Sequence, residues 1–448
     1  MSKIDWRSGL GLERDVAILI KEQEKTGVFF NLPKAKYYIS LLDKMKDDCY
    51  EKIRPKLNYE VINKELKKKG EDEYSYVSKI RNKNGEYTRS VTSWFDDYSI
   101  VDGCFSRVYF EEPSISKRGC IIKQLLKLGW KPKEFTDKGF PRLTNKDGPV
   151  DTLESVGDIG KELSLWYVYN HRQSQISGFL EHVRPDHRIS AQMNSCATNT
   201  FRAAHKVVAN IPRPTSVFGK EMRSLFTVEP GRRFVGADVS GLELRMLAHY
   251  MNDPEYISQI LSGDIHIYNM KMAGLYTRDQ AKTFIYAFIY GGGDPKIGEI
   301  IGGSAKAGRE IKERFFTAIP ALSKLFNKVR SFAERTGYIP SIDLRKIYIR
   351  RYEGKLLVHT ALNALLQASG SIVTKRAMVM AADRIKELRL DARQIIFYHD
   401  EFAYDSSEDC AEEVGKILVD SMRLAGEYYN LRIPISGEYK VGIDWSIH

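Results

Sequence analysis

The chain has 448 residues, 43% hydrophobic and 28% charged, the make-up of an ordinary globular protein with two to four units around substantial cores. No apolar run approaches a membrane span, and the start, MSKIDWRSGLGLERD, lacks the apolar stretch of a secretory signal, so a cytoplasmic protein with no membrane partner is expected. A formal net charge of +11 favours a polyanionic partner, and five scattered cysteines without a C-x-x-C pair speak against a disulfide framework or structural zinc.

Residues 10–50 read as helix, break, helix. Leu12, Val16, Leu19 and Ile20 recur at helical spacing, KTGVFFNLP interrupts them, and PKAKYYISLLDKMKDDCYEKI resumes the pattern. From about 50 to 110 the texture changes. NKELKKKGEDE is densely charged, and YSYVSKIRNKNGEYTRSVTSWF holds two β-rich runs around Asn84-Gly85, a two-residue hairpin signal. This segment reads as an insertion. KRGCIIKQLLKLGW (117–130) is helical, KPKEFTDKGFPRLTNKDGP is loop, and helix returns from about 150 to 182. GRRFVGADVSGLELRMLAHY (231–250) predicts a strand ending near Asp238 and a helix from about Gly241. TRDQAKTFIYAFIYGGGD (277–294) predicts a helix stopped by three glycines. HTALNALLQASGSIVTKRAMVMAADRIKEL (359–388) predicts a long helix, leading into RQIIFYHDEFAYDS (393–406), two apolar strands around His399-Asp400-Glu401.

Adjacent carboxylates at the centre of an apolar run need compensation, because burying even one unpaired carboxylate is costly. Asp238 by itself suits a helix N-cap, and Asp400 a turn. Together they suggest more. Two strand-end carboxylates from distant parts of the chain, with Glu401 nearby, could meet on one sheet and bind two Mg2+ ions whose charge offsets theirs. His-Asp also occurs in metal-dependent phosphohydrolases, which need further His ligands that cannot be placed here. A second set shares a helix face: Arg278, Lys282, Tyr286 and Tyr290 recur every four residues. Two cations followed by two aromatics suit a nucleotide, with triphosphate at one end and base and sugar at the other. The same pattern also fits a solvated helix with a buried aromatic stripe. His266, just upstream in GDIH, is either a phosphate donor or a structural histidine.

ADVSGLELRMLAH, RDQAKTFIYAFIYGGG and YHDE, in this order and spacing, resemble motifs A, B and C of family A (DNA polymerase I-like) DNA polymerases. EKTGVFFN, NSCATNTFRAAHKVVANIP, GKEMRSLF, HTALNALLQASGS and the final GIDWSIH also match, so the resemblance covers nearly the whole chain. SGLELR, AKTFIY and the terminal Trp445…His448 are similar to podophage replicative polymerases that recruit host thioredoxin. The resemblance implies an α+β right-hand fold, with an antiparallel palm sheet, helical fingers and thumb, and no exonuclease domain. The thumb would span about 1–180 with the inserted region at 50–110, the palm 181–250 and 363–448, and the fingers 251–362.

The implied activity is template-directed, primer-dependent DNA synthesis from dNTPs in the host cytoplasm. Asp238 and Asp400 would hold both Mg2+ ions, with Mn2+ able to substitute, assisted by the Val239 carbonyl and secondarily by Glu401. One ion would serve the primer 3′-hydroxyl, the other the triphosphate and leaving pyrophosphate. Arg278, Lys282 and His266 would hold phosphates, and Lys282 would also protonate the leaving group. Tyr290 would stack near the nascent pair. Glu243 would hydrogen-bond Tyr290 and close the space that a ribose 2′-hydroxyl needs. Tyr286 stands where Tyr goes with acceptance of 3′-deoxy sugars. Arg202, Asn363, Gln367 and His399 would read the primer–template minor groove and primer end, and Arg223 would touch nearby DNA.

Three departures stand out. The family's Thr-Gly-Arg appears as Thr200-Phe201-Arg202, and the stretch to NIP is shorter. The 50–110 insertion occupies the place of the phage loop that binds thioredoxin without matching it, so a thioredoxin-like partner and a DNA-gripping loop are both open. Proofreading is expected to be absent from this chain or supplied by a separate 3′–5′ exonuclease polypeptide. The alternatives are a single-subunit RNA polymerase-like enzyme and a catalytically silent primer–template binding protein. The first lacks the motif A Glu and usually carries His-Asp-Ser, so Glu243 and Glu401 favour deoxynucleotides. The second explains the charge but not two placed aspartates.

Overall fold

The computed structural model describes residues 6–57, 60–65, 82–86, 88–89, 98–101, 104–111, 114–145 and 148–447. The chain divides into two compact units, one of Met1–Ala35 with Gly178–His448, the other Lys36–Ser177. The Trp6–Thr26 helix packs on the Ala392–Tyr398 strand and the Ala361–Glu387 helix, and Leu12, Val16 and Ile20 join the core of the larger unit.

At the centre of the larger unit is a four-stranded antiparallel sheet, in the order Ala392–Tyr398, Glu401–Ser407, Arg232–Val239, Gly437–Gly442. Phe234–Ala237, Ile395–Phe397 and Phe402–Tyr404 are buried without alternation, which is why they read as continuous apolar runs. The Gly437–Gly442 strand, at the sheet's edge, carries alternating burial instead. The Ala411–Tyr428 helix covers the Arg232–Val239 and Gly437–Gly442 strands and packs against the Ala361–Glu387 helix. Asp405, 2% exposed within this sheet, is held by Arg188 at 3.2 Å and by the Arg232 guanidinium. These two cations explain how another carboxylate persists in an apolar strand.

A run of capped helices follows the first half of the sheet. Asp253 caps Pro254–Ser262, Asp264 caps Ile265–Ala273, and Thr277 with Gln280 forms a capping box on Arg278–Ile289. The last of these ends at Ile289, just before the three glycines expected to stop it. Gly292 N–H closes back on the Ala287 carbonyl at 2.8 Å, and Gly291 takes φ +77. The 359–388 expectation corresponds to a helix at Ala361–Glu387, buried along most of its length.

The smaller unit has its own core, including Ile53, Ile121, Trp130, Leu153 and Leu163. Its backbone includes a three-stranded antiparallel sheet in the order Glu60–Glu65, Cys104–Glu111, Tyr98–Val101. The two β-rich runs expected around Asn84-Gly85 lie largely outside the described residues. Within them, the Asn82 N–H donates to the Glu86 carbonyl at 2.7 Å, closing a tight turn with Gly85 at φ +81. Among the described residues no helix is long and apolar enough to cross a membrane.

One buried histidine gives the fold a pH signature. His249 is 8% exposed, and its Nδ1 accepts the Arg432 backbone N–H at 3.3 Å. Burial and the Arg432 charge push its pKa down to about 4. A depressed histidine pKa means that the unfolded chain binds the proton more readily. Its contribution is therefore complete above about pH 6.5 and is lost as pH falls towards 4. The loss is expected to be on the order of 2–3 kcal/mol. Denaturant unfolding between pH 7 and 4 should show a shallower slope in His249→Asn, whose amide oxygen can accept the same N–H. Equal slopes for both proteins would refute this assignment.

Candidate active site

The sheet brings the two expected aspartates together. Asp238 pairs in register with Glu401 on one side and Glu438 on the other, at the end of its strand. Tyr398 pairs with Glu401, so His399-Asp400 is a two-residue turn beside Asp238. The Val239 N–H donates to the Asp400 carbonyl at 3.3 Å and ties the turn to the strand end. His399 sits at φ +61, a conformation costing a non-glycine residue about 1 kcal/mol or more. Such strain persists only where the surroundings impose it, here a turn that must present Asp400.

The electrostatics are those of crowded carboxylates. Burial, then the Asp238 and Glu243 charges, push Asp400 up to about 7. Asp238 opens to solvent, yet desolvation by the surrounding protein and the Glu401 charge push it up to about 6. A cation would relieve this repulsion. Among the described residues no group of three or more His, Cys, Asp or Glu could hold a metal ion. Two carboxylates nevertheless fit magnesium, which is usually bound by one or two carboxylates together with substrate phosphates and water.

Glu401 takes a different place. Cross-strand partners project to the same face, so it stands beside Asp238 and raises that residue's pKa. Its own carboxylate, however, is 7% exposed, accepts the Trp445 indole N–H, and lies 3.6 Å from Arg223. Arg223 is 6% exposed, donates to the Pro212 carbonyl at 3.0 Å, and stacks 4.6 Å from the Trp445 ring centroid. Arg223, expected to touch DNA, is buried here and pairs with Glu401. The motif pattern alone could not reveal this, because the partners come from three distant stretches of chain.

A cleft beside the turn is lined by Arg202, Glu243, Gln367, His399 and Asp400, five of the expected residues, together with Leu242, Gly370, Ser371 and Phe397. Glu243 lies 3.9 Å from Arg202 and accepts the Tyr290 hydroxyl at 3.3 Å. Asn363 does not line this cleft; its Oδ1 is buried without a hydrogen-bond partner among the described residues. His205 was not anticipated. Its ring packs 4.8 Å from Tyr398 and 5.1 Å from His399, and burial with the nearby His399 pushes its pKa down to about 4. It lies inside the matching stretch NSCATNTFRAAHKVVANIP, three residues beyond Arg202, but the motif match assigns it no role there.

The Arg278–Ile289 helix carries Arg278, Lys282 and Tyr286, and Tyr290 caps its C-terminal end. Tyr286 and Tyr290 stand 6.3 Å apart, ring to ring, and Tyr286 is 6.4 Å from His266. Glu243 and Asp400 add to burial in raising the Tyr286 pKa, so the aromatic end faces the carboxylates. At the other end, Arg278 and Lys282 both bear on His266, whose pKa burial lowers. Arg278 Nε is held by Asp264 at 2.7 Å, whereas Lys282 is exposed and makes no ion pair among the described residues.

The profile of DNA polymerase family A matches residues 122–447. The DNA-directed DNA polymerase of Escherichia phage Phieco32 is 34% identical over 381 residues, spanning 66% of this chain and 62% of that protein. That of Escherichia phage T7 is 32% identical over 375 residues, spanning 74% of this chain and 52% of that protein. The chain thus matches between about half and three-fifths of the length of these relatives. The POL domain of Pol1 from M. smegmatis, solved with DNA primer-template and dNTP, aligns with TM-score 0.75 over 97% of this chain and 70% of that one. At 20% identity this likeness establishes the shared fold. With the family profile spanning most of its length and phage relatives on both sides of the one-third identity mark, the chain belongs to DNA polymerase family A.

Proposed function

We propose that this chain is a template-directed, primer-dependent DNA polymerase that uses dNTPs and two divalent ions, and that it serves phage DNA replication in the host cytoplasm. The observation that carries the reading is the meeting of Asp238 and Asp400 at one sheet end, opposite a helix with cations at one end and tyrosines at the other. In this reading the four-stranded sheet is the palm, the helices of 251–362 are the fingers, and the smaller unit is the thumb. The DNA-directed DNA polymerases to which the chain is similar, and the primer-template and dNTP held by the structural neighbour, support it.

Asp238 and Asp400, with the Val239 carbonyl, would hold Mg2+, and when bound the ions supply charge stabilisation to the attacking and leaving oxygens. The chain's own residues do the rest. Lys282 and His266 hold triphosphate oxygens, with Arg278 joining once its contact with Asp264 yields. Lys282 would also give a proton to the leaving pyrophosphate. Tyr290 is fixed by its hydrogen bond to Glu243, and Glu243 in turn narrows the sugar site against a 2′-hydroxyl. Gln367, His399 and Arg202 line the side of the cleft that a primer end would occupy. Glu401 acts by keeping the motif C strand in register rather than by holding metal. A thioredoxin-like partner at 50–110 and a separate proofreading polypeptide belong to this proposal as further components.

Purified protein, offered a primed template, dNTPs and Mg2+, is expected to extend the primer, to stop on chelation, and to use rNTPs far less well. Binding of the primed template without extension would favour the silent binding protein. Equal use of rNTPs would favour the RNA polymerase reading.

A further inference from the structure

Next to Arg202, which lines the cleft, stands Phe201, at the place where the resembling motif reads Thr-Gly-Arg. The backbone there has φ +57, which glycine adopts freely and phenylalanine only under constraint. The constraint is visible from several sides. The Phe201 N–H closes a tight turn on the Thr198 carbonyl at 3.0 Å. The Ser371 hydroxyl donates to the Phe201 carbonyl at 3.0 Å. The Arg345 guanidinium lies over the Phe201 ring, 4.2 Å from its centroid.

Arg345 has little freedom of its own. Its Nε is held by Asp343 at 2.8 Å and one terminal nitrogen by Glu13 at 2.9 Å. Asp343 is fully buried, and the other side of Glu13 is taken by the fully buried Lys375 at 2.7 Å. A cation held on two sides is therefore set over the ring of a residue whose backbone is itself hydrogen-bonded at both ends. The next residue along the chain is Arg202, whose backbone N–H is fixed by the Thr198 hydroxyl at 3.0 Å and whose guanidinium reaches Glu243 in the cleft.

We propose that Phe201 and Arg345 form a clamp that positions Arg202 at the primer-end side of the cleft, so that a glycine-free turn here does what backbone freedom alone would not. Phe201 is on this account a positioning residue acting through Arg202. The inference rests on the polymerase reading for its catalytic readout, but not for its binding readout.

The test is a double-mutant cycle of Phe201→Gly and Arg202→Ala, read by primer–template affinity (fluorescence anisotropy) and by single-turnover extension from matched and mismatched primer ends. Each single variant is expected to slow matched extension about tenfold and to weaken primer–template binding by a similar factor. The double variant is expected to be no worse than Arg202→Ala, because coupled groups are non-additive. Phe201→Tyr, which keeps the ring over Arg345, should restore near wild-type behaviour, and a thermal melt checks that each variant is folded. Additive effects, or a Phe201→Gly protein indistinguishable from wild type, would overturn the clamp. If wild type binds primed template but does not extend it, the polymerase reading fails, and the affinity cycle still decides the clamp.

Discussion

Asp400→Asn is expected to lower single-nucleotide extension about a thousandfold or more, while making the metal-free protein more stable at pH 8. Both effects have one cause. Asp400 is pushed up to about 7 by burial and by the charges of Asp238 and Glu243. A carboxylate whose folded pKa lies above its unfolded value binds its proton more tightly in the folded state. Its contribution is complete below the unfolded value near 4 and is lost as pH rises through about 7. At pH 8 the wild-type fold carries the whole cost of an ionised Asp400 beside Asp238. The uncharged amide removes that cost, worth about 1–2 kcal/mol once solvent screening is allowed for. Denaturant unfolding in chelator at pH 5 and pH 8 measures it. The variant should gain on wild type as pH rises, and a variant that is no more stable at pH 8 would mean that the carboxylates do not repel as described.

Arg223→Met should have the largest effect on folding among changes near the site. It leaves Glu401 buried with only the Trp445 N–H to offset its charge. Breaking a buried ion pair from one side costs about 3–5 kcal/mol. Glu401→Gln in the same background removes the orphaned charge and is expected to recover much of the loss, since the amide can still accept the indole N–H. Chemical denaturation of the two single variants and the double variant gives the coupling directly. If Arg223→Met unfolds at the wild-type midpoint but binds primed template weakly, Arg223 is a DNA contact after all.

The parts legible in the sequence were those set by local pattern. Asp238 could be placed because an apolar strand ends there and a helical pattern begins at once. The turn at His399-Asp400 was legible because two unbroken apolar runs flank it, the mark of central strands. The face shared by Lys282, Tyr286 and Tyr290 followed from the four-residue spacing. What escaped was long-range. Lys375 and Glu13 lie 362 positions apart, and nothing local announces their ion pair. A lysine in the middle of SIVTKRAMVM was the available hint, since a charge on that apolar stretch needs a buried partner. The Arg223–Glu401–Trp445 group was missed because motif matching assigns roles to residues singly, whereas burial assigns them in sets. The hairpin of Tyr98–Val101 and Cys104–Glu111 was overlooked although Asp102-Gly103 between them is as good a turn signal as Asn84-Gly85.

The central claim is that Asp238 and Asp400 together hold the divalent ions of a polymerase site. Mn2+ binding followed by electron paramagnetic resonance tests it most directly, in a complex with dNTP and a primer whose dideoxy end blocks chemistry. Two ions per complex are expected for wild type, and fewer than one for the Asp238→Asn/Asp400→Asn double variant at the same Mn2+ concentration. Two ions retained by the double variant would contradict the account.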